Sequence, residues 1–498
     1  MTDESMHDHM INRFDTISPL DYRYYGDDPG FFEALQPYVS ETANIRYMLR
    51  VELALVRALV HFGICPSSVE FQVEAACKEI TAEEVYKEEH KVHHNIRALV
   101  NCIRERIPIE HRSYVHLFAT SNDIMDTAYS LRYKELTRNV LLPRLIEFER
   151  ELIFLARKYK DQLQIGRTHG QHAVPTTFGY ALSWYVSRLG SRIQAIDSAH
   201  KNLRGKLSGA VGAFNALSLQ DNADPTIFES EVLNRLGLVA SPTSVSTQLV
   251  EPEYLTDLVY AVTSCFSVLA NFADDIRNLV RTEIGELTDC YEEHQVGSST
   301  MPHKINPKNF ENVKSLWKEF MPRMMTMFMD QISEHQRDLT NSASLRFLPE
   351  LFTGFCYAVS RLSGGMKKIS INESRMQENF EMTKDKIVAE PLYIILALQK
   401  FPDAYDVTMR LSRQSQREGT NLLDLAEADP ILGPILSEIS PEHKALLKDS
   451  SLYIGDAPGR VDATCDKWEL EIDMISNRLK AEQKDAVLRE QLDHALAV

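Results

Sequence analysis

The sequence has no excess of basic residues. Lysine and arginine number 54 in a chain of 498 residues, whereas aspartate and glutamate number 71, so the formal net charge is −17. A chain this acidic offers no general positive surface to the phosphates of a nucleic acid or to an anionic membrane, and we predict that it binds neither. An anionic small molecule would therefore need a site in which positive charge is concentrated locally.

Paired cysteines and long apolar runs are also missing. The seven cysteines are scattered and none forms a CxxC pair, which argues against a disulfide framework or a zinc site and suits a reducing compartment. The most apolar stretch, residues 258–272, is shorter than the ~18–20 residues that cross a bilayer. The N-terminus is polar and acidic, unlike a signal peptide. These absences predict a soluble, cytoplasmic protein.

Helical periodicity dominates what is present. Apolar residues recur every three or four positions across residues 253–283, 131–159 and 309–332, which places them on one face of an α-helix. No comparable stretch alternates between apolar and polar residues, so we expect no large sheet. Long helices with wide apolar faces need one another as packing partners. The pattern predicts an all-α fold around a central long-helix bundle that is shared between subunits.

We predict three helical domains, in keeping with a usual size of ~150 residues per domain. They are an N-terminal domain (1–127), the central long-helix bundle (128–370) and a C-terminal domain with shorter helices (371–498). Two loops interrupt the helical patterns, a small-residue turn at 205–212 and a longer loop at 285–307. A long loop inside a bundle is costly unless it has a function.

The stretch GSSTMPHKINP, residues 297–307, carries the most chemical information. Ser298, Ser299, Lys304 and Asn306 lie on one short loop before a helical pattern. Backbone N–H groups at a helix start favour an anion, and the lysine adds a full positive charge. Together they can bind a carboxylate and the extra charge that develops when a neighbouring C–H is deprotonated. A solvated Gly/Ser loop would explain a GSS tripeptide alone, but chance is a poor explanation for the whole stretch of eleven residues.

This stretch resembles the signature of the fumarase/aspartase superfamily. The resemblance implies an all-helical fold, a homotetramer with shared active sites, and elimination of fumarate from a substituted succinate. It further implies that Ser298, on a mobile loop, is the general base, that Ser299, Lys304 and Asn306 hold the fumarate portion, and that Asn312 faces the substrate. Because a serine hydroxyl is a very weak base, the loop must close and stabilise an alkoxide.

A second region narrows the family. GRTHGQ at 166–171, followed by PTTFG at 175–179, is similar to the second signature of the adenylosuccinate lyases within that superfamily. The similarity implies that His169 is the general acid that protonates the departing purine nitrogen, a role that suits an imidazolium near neutral pH. A histidine in such a turn is more often structural when taken alone. The surrounding match favours the catalytic interpretation.

Further segments resemble this family's substrate-binding elements. HHN resembles its His-Asp element, with His94 as the counterpart of its histidine, and TSND resembles its TSxD turn; a glutamine follows in STQ. Each is common in loops when taken singly. The substrate contacts that the resemblance implies are His93, His94, Asn95, Thr120, Ser121 and Gln248.

The nucleotide end of the site distinguishes this family from relatives that act on plain amino acids. Residues 18–24 look like its S-P-x-x-x-R-Y motif, and residues 337–346 keep its Arg, Ser and Arg spacing. A single arginine is usually part of a surface ion pair, but several in matching motifs of an acidic chain favour a phosphate pocket. The implied phosphate and ribose contacts are Arg23, Tyr24, Arg337, Ser342 and Arg346.

The chain departs from the family pattern at two places. Asn95 stands where the family usually has aspartate, and residues 249–253 lack an arginine that some members have. Both changes concern the ribose and phosphate contacts. His7, Asp8 and His9 could bind a metal, but we interpret this terminus as disordered and expect no metal site.

The resemblance thus implies a C–N lyase of purine biosynthesis. It would release fumarate from adenylosuccinate to form AMP, and from the succinyl-carboxamide ribotide SAICAR to form AICAR, without a metal or organic cofactor. Alternatives are another lyase of the superfamily, such as one for argininosuccinate, or a carboxymuconate-type cycloisomerase, neither of which needs a phosphate pocket. A non-catalytic helical scaffold is a third, disfavoured because Ser298, His169 and Lys304 are all present.

Overall fold

Helices form most of the chain, which confirms the predicted all-α class. The computed structural model describes residues 14–290, 294 and 297–495, and 68% of the structure is helical. The α-helices are α1 (Pro29–Val39), α2 (Glu41–His61), α3 (Ser67–Glu79), α4 (Ala82–Val92), α5 (Asn95–Glu105), α6 (Ser121–Leu136), α7 (Leu142–Lys158), α8 (Phe178–Lys201), α9 (Pro225–Arg235), α10 (Glu253–Leu279), α11 (Lys308–Phe320), α12 (Arg323–Met329), α13 (Ser342–Met366), α14 (Glu373–Glu381), α15 (Lys384–Ile387), α16 (Ala389–Leu398), α17 (Ala404–Glu418), α18 (Leu422–Ala428), α19 (Leu432–Glu438), α20 (Pro441–Lys448) and α21 (Ala457–Ala495). Short 3₁₀ turns lie at Pro19–Asp21, Ile109–Tyr114, Leu217–Leu219 and Ser450–Leu452, and a π turn at Thr137–Leu141 joins α6 to α7.

Capping residues and prolines set the ends of these helices. The Ser40 side chain accepts a hydrogen bond from the first turn of α2, and Thr81 and Glu84 form a reciprocal capping box at the start of α4. The single helix predicted over residues 309–332 is wrong, since the chain breaks between α11 and α12. Pro322 lies at this break, where it has no N–H to donate and its ring opposes a continuing helix.

The long helices α7, α8, α10, α13 and α21 pack together, as the predicted central bundle requires. Aromatic side chains interlock across their interfaces. Phe148 of α7 and Tyr185 of α8 both contact Phe272 of α10 edge to face, with ring centroids 5.9 and 5.0 Å apart. Each fully buried large apolar side chain contributes roughly 1.5–3 kcal/mol. The wide apolar stripes read from the sequence are the faces that meet here.

Helix α10 is long and apolar enough to cross a membrane if only length and composition are considered. Its most apolar segment has a mean hydropathy of 1.4. However, 67% of that segment is buried against the rest of the protein. Helix α10 is therefore packed as a core helix of the bundle.

The described residues contain two small antiparallel sheets and no large one, as expected. The first is the hairpin of β1 (Leu163–Thr168) and β2 (Gln171–Thr177), and the second pairs β3 (Leu287–Asp289) with β4 (Ile369–Ile371). The β1–β2 hairpin was not predicted from the sequence. The GRTHG motif lies on β1 and in the turn of this hairpin.

Two further hydrophobic cores are separate from that of the bundle. Helices α2–α6 and α9 share one, and residues 388–447 form another. The predicted domain boundary near residue 127 falls inside α6, and that near residue 370 falls within β4. The division into three domains stays a prediction.

The bundle contains a buried carboxyl group, Glu149 of α7. It is 0% exposed, and none of the described residues donates a hydrogen bond to either of its oxygens. Burial raises the pKa of Glu149 well above its usual range. The carboxyl is therefore neutral in the folded protein over a pH range in which the unfolded chain is ionised.

Replacing Glu149 by glutamine is expected to remove part of the pH dependence of stability. A raised folded-state pKa contributes stability that is present below the unfolded pKa and is lost as the pH rises towards the folded value. Relative to Glu149→Gln, the wild type should lose about 1.4 kcal/mol per pH unit above the ordinary glutamate pKa. Thermal unfolding at pH 5, 6 and 7 measures this. A constant difference in Tm between the two proteins would contradict it.

Candidate active site

His169 lies at the tip of the β1–β2 hairpin. It has a φ of 53° and the following Gly170 a φ of 73°, so both turn residues are left-handed, as in a type I′ turn that matches the strand twist. The imidazole is exposed there. A histidine in this position can act on a molecule that is bound outside its own hairpin.

Ser298 begins a tight turn in the loop between β3 and α11. Its Oγ accepts hydrogen bonds from the backbone N–H groups of Thr300, at 3.3 Å, and Met301, at 3.0 Å. Asn306 closes the loop by donating from Nδ2 to the carbonyl oxygen of Gly297 at 3.0 Å. Two N–H groups aimed at one oxygen stabilise negative charge on it, which a serine needs in order to act as a base.

Three more predicted residues lie on this loop or on the helix after it. Ser299 and Lys304 are exposed. Asn312, in the second turn of α11, has a buried Oδ1 to which none of the described residues donates. An unpaired buried acceptor costs about 1–3 kcal/mol, so a ligand that donates to it would be favoured.

Thr120 and Gln248 are distant in sequence and meet at the start of α6. The Nε2 of Gln248 donates to the Oγ1 of Thr120 at 3.4 Å, and the backbone N–H of Gln248 donates to the carbonyl oxygen of Gln336 at 3.3 Å. This places Arg337 beside the Thr120–Ser121 turn. The structure therefore brings together predicted substrate contacts from three segments.

Asp126, in the second turn of α6, extends this group. Its Oδ2 accepts a hydrogen bond from the backbone N–H of Val250 at 3.0 Å. Burial raises the pKa of Asp126 to about 6, against the lowering effects of that hydrogen bond and of the positive charges of Lys206 and Arg337.

The turn between α4 and α5 carries the predicted His-Asn element. His93 ends α4 in a left-handed conformation, with a φ of 54°. His94 begins α5, where its Nδ1 accepts from the backbone N–H of Arg97 at 3.2 Å, so Nε2 carries the proton and can donate to a ligand. The Nδ2 of Asn95 lies 3.2 Å from the sulfur of Met125. An aspartate there would place a carboxylate oxygen against that thioether.

The predicted phosphate contacts lie on α13 and near it. Ser342 is its first residue, and Arg346 is exposed one turn later. Arg23 is exposed in the turn after the first 3₁₀ segment, and the ring of Tyr24 packs edge to face on Tyr357 of α13 with centroids 5.1 Å apart. The N-terminal motif is thus held against α13, the helix that carries Arg346.

The predicted residues fall into three groups in the single chain. The α4–α5 turn, the start of α6, the Gln248 segment and the segment from Arg337 to Arg346 form one group. The hairpin tip with His169 is the second, and the loop with Ser298 is the third. The side-chain hydrogen bonds described for Ser298 remain within its own loop.

Two ion pairs, formed by His116 and by Asp123 on either side of Thr120 in the sequence, were not predicted. The Nδ1 of His116 lies 2.7 Å from Oε1 of the fully buried Glu52, and that carboxylate raises the pKa of His116 even though burial opposes it. Asp123 pairs with the Nζ of Lys206, and both are buried. Such pairs join distant segments and leave no periodic signal in the sequence.

Asp123 organises the turn that carries Thr120. Besides its pair with Lys206, it accepts hydrogen bonds from the backbone N–H groups of Thr120 at 2.8 Å, Ser208 at 3.1 Å and Gly209 at 3.1 Å. The small-residue turn at 205–212 therefore binds the Asp123 carboxylate through its backbone N–H groups. Asp123 thereby joins the turn that carries Thr120 to the turn at 205–212.

Substituting Asp123 by alanine should destabilise the protein by about 3–5 kcal/mol, because the charge of Lys206 would be left buried without a counter-charge. Thermal unfolding measures the loss as a lowered Tm. The double variant Asp123→Leu with Lys206→Met removes both charges and should recover much of the loss. An Asp123→Ala protein with an unchanged Tm would contradict this account of the pair.

None of the described residues forms a group of three or more histidine, cysteine, aspartate or glutamate side chains that could hold a metal ion. The His7-Asp8-His9 tripeptide lies outside the described residues. The site is instead made of hydroxyls, amides, imidazoles and cations, which is a set suited to acid–base chemistry on an anion.

Comparisons with known proteins first show that the chain is a lyase. The family model described as "Lyase" matches residues 23–319, and that described as "Adenylosuccinate lyase C-terminal" matches residues 333–442. Two solved structures share the fold, each with a TM-score of 0.76. They are 3-carboxy-cis,cis-muconate lactonizing enzyme from Pseudomonas putida, 24% identical over 89% of this chain and 98% of that one, and fumarate lyase from Mesorhizobium sp. BNC1, 23% identical over 87% and 97%.

Curated relatives narrow the class. Adenylosuccinate lyase from Pyrococcus abyssi is 34% identical over 89% of this chain and 95% of its own length, and that from Bacillus subtilis is 29% identical over 82% and 92%. The chain therefore belongs to the adenylosuccinate lyase family. This confirms the resemblance that its motifs carry.

Proposed function

We propose that this chain catalyses the elimination of fumarate from adenylosuccinate to form AMP, and the same reaction on SAICAR to form AICAR, in purine biosynthesis. The observation that carries the proposal is the Ser298 turn. A hydroxyl oxygen held by two backbone N–H groups lies on one loop with a lysine and a second serine, in a chain of this family.

The first step is removal of a proton from the succinyl carbon next to a carboxylate. The Ser298 hydroxyl first loses its proton to solvent, which gives an alkoxide that the N–H groups of Thr300 and Met301 stabilise. The alkoxide then takes the substrate proton and becomes a hydroxyl again. Lys304 and Asn306 bind the carboxylate, on which negative charge grows as the C–H bond breaks. Ser299 holds the same end of the substrate, and the open Oδ1 of Asn312 accepts a substrate donor.

The second step is cleavage of the C–N bond. The electron pair of the carbanion forms the double bond of fumarate, and the pair of the C–N bond leaves with the purine nitrogen. His169 donates a proton to that nitrogen, so the nucleotide departs neutral at this atom. The residues assigned here need no metal or organic cofactor.

The remaining predicted residues bind the rest of the substrate. We assign the phosphate and ribose to Arg23, Tyr24, Arg337, Ser342 and Arg346. The three arginines supply local positive charge in an acidic chain. We assign the succinyl and purine polar atoms to His93, His94, Asn95, Thr120, Ser121 and Gln248.

We propose that the protein is a cytoplasmic homotetramer with shared active sites. Large apolar side chains on the long helices are open to water in the single chain: Phe154 is 65% exposed, Trp184 59% and Tyr260 54%. A second copy that covers these helix faces would bury them. It would also bring the hairpin tip and the Ser298 loop to groups on neighbouring chains. Light scattering should return four times the chain mass of 56.9 kDa.

One assay tests the activity. The full-length protein is incubated with adenylosuccinate, and fumarate and AMP are followed over time. Equal amounts of the two products are expected, and AMP should compete with the substrate because it fills the phosphate pocket. A folded protein that releases no fumarate would overturn the proposal. Turnover of argininosuccinate or a carboxymuconate without AMP competition would support the alternatives.

A further inference from the structure

The hairpin that carries His169 rests on one buried carboxylate. Glu286, the residue before β3, is 0% exposed. It accepts hydrogen bonds from Nη2 of Arg167 at 2.5 Å and from Nε2 of Gln164 at 2.7 Å, both on β1. It also accepts from Nδ2 of Asn379 on α14 at 2.8 Å. Three side chains from two segments converge on it, and both of its oxygens are used.

Strand β1 is irregular where it meets this carboxylate. The register with β2 shifts between Ile165 and Arg167, which marks a bulge. Gly166 allows it, since a Cβ there would lie 2.6 Å from the carbonyl oxygen of Val174. Bulges bend a strand and redirect its side chains. Here the bulge turns Arg167 towards Glu286, and the chain then runs through one residue to the His169 turn.

We infer that Glu286 is a positioning residue for His169. It acts through Arg167, whose guanidinium it holds, and so sets where the hairpin tip lies relative to a bound substrate. Buried beneath the hairpin, Glu286 itself contacts no substrate. The inference rests on the proposed function, in which His169 donates the proton. Displacing a catalytic group by about 1 Å can lower the rate 10²-fold, so this support controls turnover.

Two variants test the inference, together with a matched control. Glu286→Gln keeps the size and an acceptor oxygen but loses the charge that holds Arg167. Arg167→Lys keeps the positive charge but loses the forked guanidinium. The control is Glu378→Gln, which removes a carboxylate from the exposed pair with Arg375 on the same helix as Asn379. Thermal unfolding establishes that each variant is folded.

Both test variants should lower kcat by about 10- to 100-fold, with KM within about twofold of wild type. A misplaced acid makes proton donation harder, so the solvent deuterium isotope effect on kcat should rise. The kinetic isotope effect measured with deuterium on the succinyl carbon reports on proton removal by Ser298. This second isotope effect should not rise. The control should stay within about twofold in kcat. These isotope effects separate loss of positioning from a general loss of stability.

The outcomes are distinct from those of the proposed function. A wild type without turnover overturns that function and this inference with it. If the wild type is active and both test variants have an unchanged kcat, only the inference is overturned. The same holds if kcat falls but only the C–H isotope effect changes and the solvent isotope effect does not. A lower kcat with a raised solvent isotope effect in either folded variant supports it.

Discussion

Replacing Ser298 by alanine is expected to lower kcat by about 10²–10⁴-fold, the usual loss when a positioned general base is removed. The two N–H groups of Thr300 and Met301 would then face no oxygen that can take the proton. Because Ser298 lies on a partly exposed loop outside the hydrophobic cores, assembly and Tm should not change. Fumarate release at saturating adenylosuccinate measures the effect.

The neighbouring Ser299 provides a matched control for this substitution. It has the same side chain one position later, and we assign it to binding rather than to proton removal. Ser299→Ala should therefore raise KM more than it lowers kcat. If Ser299→Ala lost the activity and Ser298→Ala kept it, the two roles would have to be exchanged.

Replacing His169 by glutamine should have an effect of similar size, about 10²–10⁴-fold on kcat. Glutamine keeps a hydrogen-bond donor near the position of the imidazole nitrogen but cannot release a proton to the purine nitrogen. The hairpin tip is exposed, so the substitution should leave folding unaffected. Single-turnover measurements of AMP formation would detect the loss even if product release limits the wild type.

His172, three residues later on the same hairpin, is the control. Its Nδ1 lies 2.9 Å from Oγ1 of Thr383, and burial lowers its pKa. His172→Asn can keep that hydrogen bond and should retain most of the wild-type kcat. A His169→Gln protein with more than a tenth of the wild-type rate would remove His169 from the role of acid.

Mixing the two inactive variants tests the shared active site. If a site takes Ser298 from one subunit and His169 from another, hybrid assemblies of Ser298→Ala and His169→Gln subunits contain some sites with both wild-type residues. Activity should then reappear after dissociation and reassembly of the mixture. If both residues of a site come from one subunit, the mixture should stay inactive.

The hairpin tip, the Ser298 loop and the group around Thr120 are each built on their own support: the Glu286 carboxylate, the hydrogen bonds of the Ser298 turn and the Asp123–Lys206 pair. Each support is formed within a single chain. A site assembled from such parts can be completed by association without rebuilding any of them.

Motifs in the sequence were sufficient to predict the family, whereas they did not predict the side chains that support the site. The Ser298 loop and the His169 motif are contiguous, so their residue types can be recognised along the chain. Glu286 contacts β1 and α14 over more than 90 residues of separation in each direction. The residues next to Glu286 in the sequence form no motif that predicts those partners.

The sequence by itself determined the helical class, the long bundle and the family, because apolar spacing and contiguous motifs are local properties of the chain. Only the tertiary structure decided where α11 ends, that His169 lies on a bulged hairpin, and which buried charges hold the site. Those features depend on contacts between segments far apart in sequence. Such contacts are selected by the balance of packing and desolvation in the folded protein, and no short stretch of residues encodes that balance.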